Sequence, residues 1–324
     1  MILSLESKMK QSSLFSFVRG AGLEPGTDVV DLFCGIGGFS CGAVAAGHRL
    51  ILAVDSDPLL LGCHIRNHPR CQHVCTQLPD ALPLPTSGRW HLHGSPPCQK
   101  LSIMQPVPDS GQLQQAEDLV AWFLSLVERE RPTTWSMEQV NHASVREQLS
   151  EFKRRHPMLC DWESFNAADY GVPQLRKRVI AGSPVIINGL RNSASGDNRP
   201  CVRDFIPDPP LPFVRTALYR RPEYIKKTET SPPNRSGPYI DVPLCDQIRS
   251  VDEVGWTILA TGWKAWCDEA GNMLRHLTAE ECALLQTFPE GYAFPFGAKL
   301  KMIGIGNAIP PAFARAIMRP TLRC

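Results

Sequence analysis

From Asp28 onward the chain alternates short apolar runs with helical patterns, and no other feature narrows its possible folds so far. "DVVDLF" leads into "GFSCGAVAAG", "RLILAV" into "DPLLLGCHIRNH", and "WHLHG" into a long amphipathic stretch. Such alternation implies an α/β fold, a mostly parallel sheet with helices on both faces. In the long stretch Leu113, Ala116, Val120, Phe123, Leu124 and Val127 recur at steps of three and four, and Pro132 follows, which predicts a helix. "TTWSME" then reads as a strand, Ala143 to Arg155 as a helix and "KRVIAGS" as a further strand.

Beyond Ser183 prolines and glycines interrupt every periodic run, in "RNSASGDNRP", "IPDPPLP" and "SPPNRSGP", the texture of a loop-rich small domain or an insertion. Regular pattern returns at "LTAEECALLQTF", where Thr278 and Glu281 have the spacing of a capping box. A length of 324 residues, 43% of them hydrophobic, suffices for one large domain and a smaller one. The longest apolar runs are too short to span a bilayer, and the N-terminal "MILSLESKMK" carries charges where a signal peptide needs an apolar stretch. Twelve cysteines scattered among apolar segments are expected to be reduced, in an intracellular protein. The net charge of +2 neither requires nor excludes a polyanionic partner.

Several stretches could carry chemistry. "DLFCGIGGFS" is a strand, then Gly35, Gly37 and Gly38, then a helix; Asp55 ends the next strand about twenty residues on. Glycines there let a ligand approach backbone N–H groups, and an acid at that distance suits a ribose, so an adenosine-containing cofactor is favoured over a bare tight turn. "GSPPCQKLS" holds Cys98 behind two φ-restricted prolines at a strand end, where open α/β sheets place ligands. A free cysteine is otherwise mostly a small hydrophobe. Glu138 ends another apolar strand, and Gln174, Arg176 and Arg178 alternate in "QLRKR", so in an extended chain all three point one way. Glu138 and the arginines could simply pair. "GIGNAIPP" read alone is punctuation. Cys63, His64, His68, Cys71, His73 and Cys75 crowd together, but their spacing matches no compact zinc motif and no metal is expected.

Taken in order, "DLFCGIGG", "PPCQ", "EQV", "QLRKR", "LTAEECALLQTFP" and "GNAIPP" resemble the motif series of the cytosine-C5 DNA methyltransferases. The resemblance spans the chain except its first 25 or so residues and the segment between about 184 and 274. It implies a Rossmann-like catalytic domain over 1–183 and 275–324, discontinuous because Asn307 must return to the glycine loop. A target-recognition domain is expected over 184–274. It implies S-adenosyl-L-methionine as cofactor, lined by Phe33, Cys34, Gly35, Ile36, Gly38, Asp55 (on the ribose), Ser56, Pro97, Asn307 and Ala308. Cys98 would be the nucleophile, Glu138 would engage cytosine N3, and Arg178, helped by Arg176, would hold the base. Pro96, Gln99, Ser102 and Gln174 would line the substrate. The implied partner is double-stranded DNA, with no membrane and no obligate protein partner; the chain is expected to stand alone as a monomer.

The residue types suit this chemistry. Cytosine C5 is a poor nucleophile until a thiolate adds at C6, and charge building on N3 and O2 calls for a proton donor and a cation. A base inside a duplex must be turned out of the stack. In the variable segment Arg220, Arg221, Lys226 and Lys227 beside Tyr224 suit phosphates, or a solvated face equally well. Three stretches depart from the family: Lys100 and Leu101 after "PCQ", "EQV" in place of "ENV", and no acid for the adenine amino group in "HVCTQLPD". Among rivals, an amino-methyltransferase would need an aromatic residue where Cys98 stands. The tRNA-modifying branch would carry a "CFT"-like tripeptide, which is absent. A catalytically silent relative would lack catalytic positions that are all filled.

Overall fold

The structure, a computed structural model, describes residues 26–97, 110–196, 198–216, 248–260 and 264–319. Its centre is a seven-stranded sheet built from β1 (Asp28–Leu32), β2 (Arg49–Asp55), β3 (Gln72–Cys75), β4 (Trp90–Gly94), β5 (Thr134–Gln139), β6 (Asp161–Asn166) and β7 (Lys177–Gly182). The spatial order is β3-β2-β1-β4-β5-β7-β6. The first five strands pair in parallel, and β7 enters antiparallel between β5 and β6. This is a doubly wound sheet whose order reverses between β1 and β4, the crevice where such sheets bind ligands.

Helices cover both faces, as the alternation predicts. On one side α1 (Gly38–Ala45), α5 (Pro184–Ser193) and α8 (Pro311–Met318) share a core, in which Phe39, Ile186, Ile187, Leu190, Phe313 and Ile317 are buried. On the other, α3 (Ser110–Glu130) and α4 (Ala143–Arg155) bury Val120, Phe123, Val127, Leu149 and Phe152 against Val30, Leu32, Leu92 and Met137. Each such side chain contributes about 1.5–3 kcal/mol by leaving water. The period-two split of β1, Val29 to one core and Val30 and Leu32 to the other, is what a strand covered on both faces requires. The helix α2 (Pro58–Asn67) starts on Asp57, whose side chain accepts from the N–H groups of Leu59 and Leu60.

The proline-rich stretch contributes β8 (Phe213–Thr216), β9 (Ile248–Ser250), β10 (Lys264–Cys267) and β11 (Met273–His276), an antiparallel sheet in the order β11-β10-β8-β9. Trp266, Val214 and Val251 share a core with α6 (Ala279–Leu285), α7 (Ala298–Asn307) and Ile36 of the glycine loop. Thr278 and Glu281 close the capping box of α6. Helix α5 begins at 184 yet packs on the large sheet, because Ile186, Ile187 and Leu190 need its apolar face. The resumption at 275 falls inside β11, which pairs with β10. Every described cysteine is a free thiol. Among the described residues no helix is long and apolar enough to cross a membrane.

Candidate active site

The expected site residues that are described gather largely at the carboxyl edge of β1, β2, β4 and β5. After β1 the backbone turns through Phe33 (φ 59°), Gly35 (φ 52°) and Gly37 (φ 94°) into α1. Gly35 N–H donates to Asp55 Oδ2 at 2.8 Å, and Asp57 N–H to Asp55 Oδ1 at 2.9 Å, so Asp55 braces the loop it was expected to serve. Burial pushes the Asp55 carboxyl upward against those N–H groups. A Cβ built on Gly35 meets no atom of the described residues within 4 Å, which fits a cofactor lying against backbone. At Gly38 a Cβ would run into the Ile309 carbonyl and Ala308 Cβ, so protein occupies the room this glycine leaves. Tyr292 Oη donates to the Ile36 carbonyl at 2.5 Å, and Phe33 meets Trp122 edge-on at 6.2 Å. Cys34 is buried, its thiol pushed well above the ordinary value by burial and then by Asp31 and Asp55. Ser56 is exposed beyond β2, and Asn307 is exposed at the end of α7, with Ala308 next.

The loop after β4 carries the prolines. Ser95 N–H donates to the Leu32 carbonyl at 3.2 Å, and the Pro96 carbonyl accepts from Gln139 Nε2 at 3.1 Å. Pro96 is buried and Pro97 exposed. Cys98, Gln99 and Ser102 lie outside the described residues, as do Lys100, Leu101, Arg220, Arg221, Tyr224, Lys226 and Lys227. Gln139 is the residue by which "EQV" departs from the family pattern, and its amide grips the proline loop.

Glu138 is 6% exposed, and Arg178 Nε lies 2.9 Å from its Oε1. The β5–β7 register, Gln139 opposite Val179, brings Arg178 at the start of antiparallel β7 to this same edge. The two therefore do pair. The pair sits at the carboxyl end of β5, next to Gln139, whose amide holds the proline loop.

Two expectations need correction. Arg176, expected to help hold the base, is 2% exposed; its Nη1 donates to the Ile258 carbonyl and its Nη2 to those of Gly306 and Ala308. Gln174, expected at the substrate, is fully buried: its Nε2 donates to the Leu285 carbonyl and Gln286 Oε1, and its Oε1 accepts from Ile258 N–H. Both side chains latch the returning C-terminal segment to the large sheet. Alternation in "QLRKR" tells which face a residue takes, not what chain later covers that face.

Of the histidine and cysteine crowd, His64 and His73 join a hydrogen-bonded row. His64 Nδ1 lies 2.8 Å from His73 Nε2, His64 Nε2 lies 2.9 Å from Ser40 Oγ, and Ser40 donates to Asp31 Oδ2 at 2.6 Å. Burial pushes Asp31 up to about 7 and His64 down to about 2. Among the described residues no group of three or more histidine, cysteine or acidic side chains is arranged to hold a metal ion. Sequence reasoning missed Ser95, Gln139 and Tyr292; the departure "EQV" was the available signal for Gln139.

A doubly wound sheet with a glycine loop at its switch point and an acid at the end of β2 defines a Rossmann-like fold. The chain matches the family model described as C-5 cytosine-specific DNA methylase over residues 27–195 and 215–323, and it belongs to that family. It is 27% identical over 334 residues to the Type II methyltransferase M.MthTI of Methanothermobacter thermautotrophicus, covering 90% of this chain and 96% of that one. It is 31% identical over 169 residues to M.XorII of Xanthomonas oryzae pv. oryzae, where the match spans only 39% of the relative's length and 47% of this chain. Among solved structures the methyltransferase EhMeth of Entamoeba histolytica superposes with a TM-score of 0.58 at 13% identity, covering 93% of this chain and 99% of that one, a likeness of fold.

Proposed function

We propose that the protein transfers a methyl group from S-adenosyl-L-methionine to C5 of a cytosine turned out of double-stranded DNA, through a covalent bond between Cys98 and C6. The observation that carries this reading is the ion pair of buried Glu138 with half-buried Arg178, set at the carboxyl edge beside the proline loop that leads into Cys98. Gly35, whose Cβ would meet no described atom, and the exposed Asn307 support a cofactor seated between the glycine loop and the end of α7. When bound, S-adenosyl-L-methionine supplies the electrophilic methyl and leaves as S-adenosyl-L-homocysteine.

The Cys98 thiolate adds at C6, and the electrons of the C5–C6 double bond move toward C5 and N3. Glu138 holds or donates the proton at N3, and Arg178 stabilises charge on O2. Once C5 carries the methyl, a base removes the C5 proton, the double bond reforms and the thiolate departs. Pro96 and Pro97 restrict the approach to Cys98, so little backbone freedom has to be lost on reaction. Target reading we assign to the part that follows Ser193 and ends with β11, and catalysis to the large sheet with the returning C-terminal segment. The reading includes an intracellular monomer that acts on DNA without an obligate protein partner.

Bisulfite sequencing of DNA from a host expressing the chain tests it. The expected result is 5-methylcytosine restricted to one sequence context. Folded, cofactor-binding protein that leaves no new 5-methylcytosine would overturn the reading. DNA with 5-fluorocytosine at the target, whose C5 substituent cannot leave as a proton, should trap Cys98 covalently; methylation without a trapped adduct would remove the covalent step.

A further inference from the structure

The face of β4 and β5 that α1 covers carries a row of polar groups, of which the chemistry above gives a task to Glu138 alone. His91 and His93 alternate along β4, and Thr134, Ser136 and Glu138 along β5. His91 Nδ1 lies 2.9 Å from Thr134 Oγ1, and its Nε2 lies 2.9 Å from Ser136 Oγ. The same Ser136 hydroxyl lies 2.8 Å from His93 Nδ1, and His93 Nε2 lies 2.9 Å from Ser95 Oγ. His91, His93 and Ser136 are fully buried. Phe39, the second residue of α1, stacks on His93 with ring centroids 3.4 Å apart and planes 7° apart.

Apolar side chains would fill this strand face without desolvating imidazoles, so the row calls for an explanation. It ends on Ser95, the first residue of the proline loop. Pro96 and Pro97 have no N–H to anchor. The loop is therefore held by Ser95 N–H on Leu32, Ser95 Oγ on His93 and the Pro96 carbonyl on Gln139. In the β4–β5 register His93 faces Ser136 and Gly94 faces Met137; one step further sets Ser95 at the position of Glu138.

Burial pushes both imidazoles well down, His91 to about 3, so each is neutral with one N–H and one lone pair. Ser136 has a single proton for two imidazoles. Ser136 can therefore donate to only one of them, and when it does the bonds run one way: toward Thr134, with Ser95 donating inward, or toward Ser95, whose own proton is then free.

We propose that His93 is a positioning residue for the nucleophile loop, acting through Ser95: the buried His91–Ser136–His93 row fixes the bearing of Ser95–Pro97 and the direction of the Ser95 hydroxyl beside Glu138. The proposal rests on the cytosine-C5 reading. Single-turnover methylation and S-adenosyl-L-homocysteine affinity are measured for wild type, Ser95→Ala, Ser95→Thr and Ser95→Ala with His93→Phe. Ser95→Ala should slow methyl transfer about tenfold, the scale of one hydrogen bond, with cofactor affinity held. Ser95→Thr, which keeps the hydroxyl, should recover most of that rate, and adding His93→Phe should cost little more.

Full speed in Ser95→Ala, equal loss of cofactor affinity, or additive losses in the double variant would overturn the proposal. A wild type that makes no 5-methylcytosine would instead fail the functional reading. An activity-independent arm remains in that case: imidazole 15N shifts of both His93 and His91 should move in Ser95→Ala, and a His91 signal that stays still would overturn the coupled row.

Discussion

The Gln139 side chain donates across 3.1 Å to the Pro96 carbonyl while its own Oε1 accepts from Val140 N–H at 2.8 Å. The end of β5 and the loop leaving β4 are thereby tied at a point with no exposure to water. Removing the amide in Gln139→Leu leaves a buried carbonyl unpaired, a cost of about 1–3 kcal/mol. Urea unfolding should show that loss, and methylation should fall beyond what the lost stability explains. Unchanged unfolding would mean the bond contributes nothing.

Arg176 is expected to matter for stability before it matters for DNA. Arg176→Met removes charge-assisted bonds to the carbonyls of Ile258, Gly306 and Ala308 and should cost about 3 kcal/mol or more. Thermal or urea melts check this directly. A stable Arg176→Met with weakened DNA affinity would return Arg176 to the base.

Gly35 and Gly38 should fail differently. Gly38→Ala sets a methyl against the Ile309 carbonyl and should destabilise the fold by about 1–3 kcal/mol through overpacking. Gly35→Ala adds only left-handed strain of about 1–2 kcal/mol, but its methyl, which meets no described atom, would stand where the cofactor is proposed to lie, so S-adenosyl-L-homocysteine affinity should fall more steeply. Calorimetric binding set beside melts separates the two.

Glu138→Gln keeps the size of the side chain and removes its acid. Methyl transfer in a single turnover should drop about a hundredfold or more while DNA affinity changes far less. Equal losses in both would make Glu138 a partner of Arg178 and nothing further.

Stability should rise with pH between 5 and 6.5. His64 and His91 are held neutral by burial, at about 2 and about 3. Their contribution is complete above the unfolded value of 6.5 and is lost progressively as pH falls toward the folded values. Each imidazole accounts for about 0.7 kcal/mol per pH unit at pH 6.5, rising to about 1.4 near pH 5. Asp31 acts in the opposite sense: burial raises it to about 7, so its contribution is complete below 3.8 and disappears as pH rises through 7. Asp31→Asn should therefore steepen the rise by one proton's slope. Urea midpoints across the window measure it, and an unaltered slope would place the Asp31 proton elsewhere.

Much of the large sheet was readable because β2 is a nearly continuous apolar run, Val29, Val30 and Leu32 give β1 an apolar body and α3 keeps its period. β6 was not: it is an edge strand with Asp161 and Glu163 held outside by Lys153 and Arg191, so its pattern lacks the apolar signature of the others. Nor does any local signal tell that β7 inserts between β5 and β6, since a strand's partners lie far off in sequence. In the site, motif order singled out Asp55, Glu138 and Arg178, which the fold sets at the ends of β2 and β5 and the start of β7. It misread Gln174 and Arg176, because a polar residue on a strand looks alike whether it meets a ligand or a distant carbonyl. His91 and His93 stood in plain view as alternating polar residues within a buried strand, and that conflict between polarity and burial was the signal to follow.

The latch of Gln174 and Arg176 onto residues 258–308, and the seating of Ala308 and Ile309 against Gly38, set a timetable for the growing chain. On the ribosome the glycine loop is made early, and its covering segment emerges after every strand of both sheets. Until then a buried arginine, a glutamine and the apolar side of α1 stand open to water and to other chains. Nascent protein stalled before α7 and α8 should thus be a chaperone client unable to retain cofactor, and binding competence should arrive abruptly with the last helices.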